Sequence, residues 1–198
     1  DVVYVAAQGP VWAAGGDRGL YKTTDGGKTW AKILDVSEDT GVNEVVMDPR
    51  DPDVLYASAW QRRRHVWTYV GGGPESALYK SGDGGKSWDK ITAGLPSGDV
   101  GRIGLCVSPA NPDYVYAMVE AQGDAGGFFR STNRGGSFEK RSGYATVGLY
   151  YTEIVCDPFD RDRVVSMDVF SQVTADGGVT WGRYGEHHKH VDNHALWL

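Results

Sequence analysis

The sequence predicts an all-β protein made of repeated four-stranded units. Glycine makes up 28 of the 198 residues, about twice its usual share, and aromatic residues are abundant, a combination typical of short strands joined by tight turns. Two turn motifs also alternate along the chain, and the first is centred on residues 25, 83, 133 and 176. A period of roughly fifty residues indicates a propeller or solenoid array.

The first motif predicts a tight turn in each unit. Its copies are residues 23–30 (TTDGGKTW), 81–88 (SGDGGKSW), 131–138 (STNRGGSF) and 174–181 (TADGGVTW). Glycine reverses the chain at positive φ, while the Asp carboxylate and the preceding Ser or Thr can hydrogen-bond backbone N–H groups across the turn. We expect the closing aromatic residues to be buried between neighbouring sheets. These residues are Trp30, Trp88, Phe138 and Trp181.

The second motif predicts the turn after each innermost strand. Its copies are residues 48–56 (DPRDPDVLY), 108–116 (SPANPDYVY) and 157–165 (DPFDRDRVV), and residues 1–4 form the end of another. The inner strands are apolar on both faces, as expected for buried strands, and are predicted at 42–47, 103–107, 152–156 and 194–198. The sequence thus predicts a β-propeller of four-stranded antiparallel blades, about four in this chain.

The predicted blade repeats divide the chain into four parts. They are residues 1–40 plus 191–198, residues 41–98, residues 99–147 and residues 148–190. The chain is then a single β-propeller domain or a fragment of a larger propeller. In a closed ring, residues 194–198 would pair with residues 2–6; the alternatives are a homodimer and a longer chain whose remaining blades complete the ring.

The first motif resembles the Asp-box, or BNR repeat, of sialidases, sortilins and xyloglucan-active hydrolases. Residues 19–30, 59–64, 148–153 and 192–197 are also similar to large bacterial sortilin-like proteins labelled as glycosyl hydrolases with BNR repeats. The resemblance implies that each box forms the turn between the third and fourth strands of a blade and that the Asp residues of the boxes are structural. It also implies a longer, exported protein located outside the cell or in the periplasm.

Composition excludes several functions. The net charge of −6 and a pI of about 5.3 argue against a nucleic-acid-binding protein, which would carry a basic surface. No apolar run is long enough to insert into a membrane, and no phosphate-binding loop or dinucleotide motif is present, so no cofactor is expected. Cys106 and Cys156 lie in apolar runs and are expected to be buried free thiols, with a disulfide as the alternative.

The loops opposite the two turn motifs vary in length and predict the functional face. The richest is residues 60–74 (WQRRRHVWTYVGGGP), where arginine forks beside flat rings suit an acidic sugar, a carboxylate or a peptide terminus. The alternative is a solvated loop whose arginines pair with surface carboxylates. The candidate ligand-binding residues in this loop are Trp60, Arg62, Arg63, Arg64, His65 and Trp67.

Two further groups extend the predicted face. In an extended strand His190, Asp192 and His194 project to one side, where they could bind zinc or another divalent metal, or simply form hydrogen bonds. His190 and His194 are therefore also candidate ligand-binding residues. Tyr150 and Tyr151 could stack against a saccharide.

A carbohydrate-active enzyme would need two facing carboxylates on this face. The candidate catalytic residues are Glu153 and Asp192, with Asp17, Glu44 and Asp99 as further carboxylates. A glycosidase requires two of them about 5–10 Å apart. The sequence predicts a ligand-binding or scaffold propeller for a peptide or glycan, and the alternative is a glycosidase that uses such a pair.

Overall fold

The computed structural model describes residues 1–185 and 188–198, and in these ranges the chain forms β-strands and one short 3-10 helix, Gly123–Ala125. The predicted all-β class is confirmed. Among the described residues, no helix is long and apolar enough to cross a membrane.

Four antiparallel sheets follow one another along the chain, and a small hairpin is inserted in the second. The first sheet contains β1 (Val3–Ala7), β2 (Gly19–Thr23) and β3 (Ala31–Leu34), and the second region contains β4 (Thr40–Asp48), β5 (Asp51–Gln61), the hairpin strands β6 (Arg63–Arg64) and β7 (Tyr69–Val70), β8 (Ala77–Ser81) and β9 (Asp89–Ile91). The third sheet contains β10 (Val100–Val107), β11 (Val115–Ala121), β12 (Gly127–Ser131) and β13 (Glu139–Ser142), and the fourth contains β14 (Ile154–Cys156), β15 (Val164–Ser166), β16 (Gln172–Thr174) and β17 (Gly182–Arg183).

The strand order within each sheet follows the chain order, with the hairpin β6–β7 set apart from the second sheet. Strand β10 contacts β4 on one side and β14 on the other, so the inner strands of successive sheets are neighbours. The sheets therefore pack face to face, as propeller blades do. The division into blade repeats stays a prediction.

The first sheet differs from the predicted four-stranded unit, because residues 194–198 form no strand and do not pair with β1. The chain just before them is held against the loop that follows β15. Asp192 N donates to Val169 O at 3.0 Å, and Asn193 N donates to Asp168 O at 3.0 Å. The expected strand at 194–198 is wrong for this structure, and the first sheet has three strands.

Two buried tyrosines connect the second sheet to the third and the third sheet to the fourth. Tyr56 on β5 donates its hydroxyl hydrogen to Arg134 O at 2.9 Å, and Tyr116 on β11 donates to Arg161 O at 2.7 Å. Both rings lie in apolar clusters between sheets, and burial raises the pKa of Tyr56 to about 12. Each hydroxyl thus satisfies a backbone carbonyl of the neighbouring sheet.

The first Asp-box shows how each turn is closed. Thr23 Oγ1 donates to Asp25 Oδ1 at 2.8 Å and accepts from Gly27 N at 2.9 Å. Asp25 Oδ1 accepts from the backbone of Lys28 and Thr29 at 2.9 Å each, and Oδ2 accepts from Thr29 Oγ1 at 2.7 Å. These bonds, those from Thr29 foremost, lower the pKa of Asp25 to about 2. Both carboxylate oxygens accept hydrogen bonds from within the turn, which supports a structural role for Asp25.

The same bonds recur in the second and fourth copies, where hydrogen bonds also lower the pKa of Asp83 and Asp176. In the third copy, Asn133 Oδ1 accepts from Ser131 Oγ at 2.8 Å and from Ser137 N at 2.9 Å, whereas its Nδ2 donates to Ser137 Oγ at 3.0 Å. The amide can replace the carboxylate here because the Ser137 hydroxyl can donate or accept. One bond differs, since the backbone N–H of residue 136 donates to the backbone carbonyl of Asn133 at 3.2 Å.

The four box aromatics are not equally buried. Phe138 is 6% exposed in the cluster between the second and third sheets, and Trp88 and Trp181 pack against the cores of the first and third sheets. Trp30, in contrast, is 45% exposed. Each aromatic packs on the preceding sheet, and no sheet of the described residues precedes the first one. The expected burial of Trp30 is therefore wrong.

Cys106 and Cys156 form a disulfide that joins β10 to β14, with Cα atoms 6.1 Å apart. The expectation of free thiols is therefore wrong, and the alternative, a disulfide, is the one that the structure contains. Because the two strands are the inner strands of neighbouring sheets, the bond ties the fourth sheet to the third.

We expect Phe138→Ala to lower the free energy of unfolding by about 3–5 kcal/mol, because it removes a buried ring from the cluster between sheets. Trp30→Ala removes an exposed ring of the equivalent position and should cost below about 1 kcal/mol. Chemical denaturation of the two variants measures both values. Equal losses would show that burial does not distinguish the positions.

Stability should also fall in acid because the box carboxylates are ionised in the fold at a lower pH than in the unfolded chain. The pKa of Asp25 lies at about 2, below the ordinary 3.8, so its contribution is complete above about pH 4 and is lost towards pH 2. Urea unfolding across this range should show a shallower acid loss for Asp25→Asn and a steeper one for Asn133→Asp. Identical slopes would contradict this assignment.

Reduction of the disulfide should lower the free energy of unfolding by about 4 kcal/mol, the loop-entropy value for its closed loop. Denaturation with and without reductant measures the difference. A double variant, Cys106→Ser with Cys156→Ser, is the control and should not respond to reductant. An unchanged midpoint for the parent chain would contradict the prediction.

Candidate functional site

Two loops meet at the edge of the sheets opposite the Asp-box turns. Residues 8–18 connect β1 to β2, and residues 62–76 connect β5 to β8. Arg64 N donates to Val11 O at 2.8 Å, and Arg18 Nη2 approaches Arg62 O at 3.4 Å. The two loops therefore form one surface, on the face predicted to be functional.

Arg18 shapes the first of these loops from within. Its guanidinium is buried and donates to Gln8 O and Pro10 O at 2.6 Å each and to Ala13 O at 3.1 Å. Burial lowers the pKa of Arg18. These bonds satisfy carbonyls that no strand partner reaches, and they fix the segment that carries Trp12.

The second loop contains the hairpin β6–β7, in which Arg64 pairs with Tyr69 across the strands. The Arg64 guanidinium lies 5.3 Å from the Tyr69 ring centre and 6.0 Å from that of Trp12, so it connects the two loops by cation–π contacts. At the tip, the His65 and Trp67 rings are stacked with centres 5.8 Å apart. We call this surface the aromatic–arginine face, defined by Trp12, Arg62, Arg64, Trp67 and Tyr69.

Trp60 supports this face from below. It is 2% exposed, and its Nε1 donates to Gly71 O at 2.8 Å. The guanidinium carbon of Arg62 lies 4.8 Å from its ring centre, and that of Arg102 lies 5.6 Å from it. Trp60 thus positions arginines rather than presenting its own ring to a ligand.

The three consecutive arginines have three different environments. Arg63 lies 3.6 Å from Asp39 in an ion pair, so the structural alternative holds for this residue. Among the described residues, neither Arg62 nor Arg64 has a carboxylate within ion-pair distance. Burial, with Arg102 and Arg64 nearby, lowers the pKa of Arg62, although the group stays protonated at neutral pH.

Carboxylates lie beside this face, grouped around Arg102. Arg102 Nη2 donates to Glu153 Oε1 at 2.5 Å, and Arg102 N donates to Glu120 Oε2 at 3.2 Å. Burial raises the pKa of Glu120. Glycines at 101 and 148 allow its close approach, because a Cβ at either position would strike the Glu120 carboxylate.

Glu44, on the inner strand β4, differs from these in its environment. It accepts a hydrogen bond from Leu105 N at 2.9 Å, and burial, reinforced by Glu153, raises the pKa of Glu44 to about 8. Glu153, in contrast, forms the ion pair with Arg102.

The predicted tyrosine and histidine residues form a second group. Tyr151 donates its hydroxyl hydrogen to Asp192 Oδ1, which raises the pKa of Tyr151 to about 12. The His194 ring is stacked on Tyr151 with ring centres 4.9 Å apart, while the Tyr150 ring is largely exposed beside it.

The predicted metal arrangement is not formed. The Asp192 carboxylate accepts a hydrogen bond from the Tyr151 hydroxyl, and the His194 ring is stacked on Tyr151. His190 Nδ1 contacts Val191 O. Within residues 1–185 and 188–198, no group of three His, Cys, Asp or Glu residues is arranged to hold a metal ion.

The candidate binding residues predicted from the sequence do not include Trp12, Arg102 or Tyr69. Trp12 follows Gly9 and Pro10 in the loop that leaves β1 at the same edge as residues 62–76. A comparison of equivalent loops between repeats would have found it. Arg102 gives no such signal, because its contact with Trp60 depends on packing between two sheets.

Comparisons with known proteins agree with the repeat analysis. A family model described as BNR/Asp-box repeat matches residues 21–32, which confirms the Asp-box resemblance. The chain is 26% identical over 156 residues to a protein named Xyloglucanase from Hypocrea jecorina (strain QM6a), covering 73% of this chain and 17% of that protein. The chain thus spans a small part of the length of this relative.

Solved structures confirm the β-propeller fold. A GH74 enzyme of Niastella koreensis superposes with a TM-score of 0.62 at 21% identity, covering 91% of this chain and 28% of the other. A GH74 xyloglucanase of Xanthomonas campestris gives 0.59 at 17% identity, covering 92% and 32%. The fold is that of an Asp-box propeller similar to carbohydrate-active enzymes. The likeness to sortilin-like proteins stays a prediction.

Proposed function

We propose that this chain supplies a glycan-binding surface of a propeller, located on the aromatic–arginine face. The observation that carries the proposal is the pair of exposed indole rings on fixed loops: Trp12 is 64% exposed and Trp67 is 82% exposed. Large apolar side chains exposed together are typical of binding surfaces. Flat rings suit the apolar face of a sugar, and neighbouring polar groups fix its orientation.

The rigidity of the two loops supports this function. Trp12 is carried by a segment bonded to the buried Arg18, and Trp67 lies at the tip of a paired hairpin. Arg64 connects both loops through its ring contacts and its backbone bond to Val11. A preformed surface loses little entropy on binding.

The comparisons favour a glycan over a peptide as the ligand, since the relatives above are named as xyloglucanase or GH74 enzymes. We also propose an extracellular or periplasmic location. The disulfide between β10 and β14 supports this, because disulfides persist in oxidising compartments.

Glycoside hydrolysis is the second candidate function, and one observation favours it. Glu44 has a raised pKa and Glu153 is a carboxylate paired with Arg102, which is the division of roles that an acid and a nucleophile or base require. Asp192, the other sequence candidate, accepts a hydrogen bond from Tyr151 instead.

The binding function is tested by calorimetric titration of the chain with xyloglucan and cello-oligosaccharides. Trp67→Ala and Trp12→Ala should each weaken binding by about tenfold or more, because each removes an aromatic anchor. The matched control is Phe159→Ala. Phe159 is 93% exposed but lies in the turn before β15, at the opposite edge of the sheets.

Equal losses in all three variants, or none, would contradict a glycan surface at this face. Release of reducing sugar that is lost in Glu153→Gln would assign the hydrolase function instead.

A further inference from the structure

Arg62 has a fixed position and no anionic partner among residues 1–185 and 188–198. Its guanidinium lies over the Trp60 ring, and the Nε atom is enclosed without a hydrogen-bond partner. Its terminal nitrogens make no hydrogen bond to any described residue. A stacked guanidinium with free terminal donors is pre-organised to bind an acceptor pair.

Other donors nearby also lack partners. The hydroxyl of Tyr69 is buried without a hydrogen bond, as is Nε of Arg102. Tyr69 is close enough to Arg62, Arg64 and Arg102 for their charges to act on its ionisation. Buried polar groups in native proteins are normally satisfied, and exceptions gather where a ligand or water binds.

The charge balance around Arg62 leaves an excess of positive charge. Glu153 forms an ion pair with Arg102, and Glu120 Oε2 accepts from the Arg102 backbone N–H. Asp39 is paired with Arg63. Within the described residues, no carboxylate is left within ion-pair distance of Arg62 or Arg64, and two unpaired guanidinium groups favour an anion beside them.

We propose that Arg62, with Tyr69 and Arg64 beside it, binds a carboxylate of an acidic sugar, so that the glycan taken by this face is a uronic-acid-containing polysaccharide. This inference rests on the proposed glycan-binding function and adds its chemical class. The planar guanidinium matches a carboxylate through two parallel hydrogen bonds, and the exposed rings of Trp12 and Trp67 would lie against the adjoining sugars.

The test compares acidic oligosaccharides with uncharged counterparts of the same sugars. Oligogalacturonides and cellouronides are titrated against their methyl esters and against neutral cello-oligosaccharides, using the parent chain and Arg62→Gln. The acids should bind about tenfold or more tighter than the esters, and Arg62→Gln should reduce this ratio of acid to ester affinity to about one. Arg62→Lys keeps the charge but not the fork and should be intermediate.

A matched control is Arg161→Gln. Arg161 lies 4.9 Å from the Tyr114 ring centre, a stacking distance similar to that of Arg62, but it belongs to the turn before β15 at the opposite edge. It changes the net charge by the same amount and should leave acid binding unaltered. Thermal melting of each variant confirms that it is folded.

The outcomes separate this inference from the proposed function. If acids and esters bind equally well, or if Arg62→Gln and Arg161→Gln weaken acid binding to the same extent, the carboxylate site is overturned and the glycan surface stands. If no oligosaccharide binds to the parent chain, the glycan surface itself fails and the inference fails with it.

Discussion

The hydrogen-bonded Asp-box turn is the constraint on which the rest of the structure depends. One side-chain oxygen accepts from two consecutive backbone N–H groups, and a Ser or Thr hydroxyl closes the turn from the other side. The turn thereby sets the register between the third and fourth strands of a sheet. Because this chemistry occupies one edge of every sheet, variation in loop length is confined to the opposite edge, where the aromatic–arginine face lies.

The aromatic–arginine face is held by side chains that differ in role although they are adjacent in sequence. Arg63 is paired with Asp39, and Arg64 connects two aromatic rings. Arg62 lies on Trp60, with no anionic partner in the part of the chain that the structure describes. Consecutive residues of a strand point to opposite sides, so a run of arginines does not form one patch of charge. The chemistry of the face follows from which neighbours each side chain meets.

Much of the fold could be predicted from sequence because the repeats carry their own local hydrogen bonds. The box turns, the inner strands of the second to fourth sheets and the edge at which the variable loops lie all follow from motif order. The exposed Trp30 and the missing strand at 194–198 could not be predicted, since both depend on which sheet lies alongside. The disulfide could not be predicted either: Cys106 and Cys156 both lie in inner strands but are offset by one position relative to the second motif, and their pairing depends on how β10 and β14 pack.

In the site, residue types were predictable but partners were not. Glu153 was chosen from sequence as a catalytic candidate, and its ion pair with Arg102 joins residues 51 positions apart. Asp192 accepts a hydrogen bond from Tyr151, which lies 41 positions away in the sequence. Local pattern cannot supply such pairings, because they arise from the packing of neighbouring sheets and loops.

The disulfide between β10 and β14 makes the connections between successive sheets unequal. The third and fourth sheets are covalently joined along their inner strands and cannot separate without reduction. The first sheet has three strands, an exposed Trp30 and no such link. The aromatic–arginine face spans the first and second sheets, which no disulfide joins, so the relative position of its two loops depends on non-covalent packing alone.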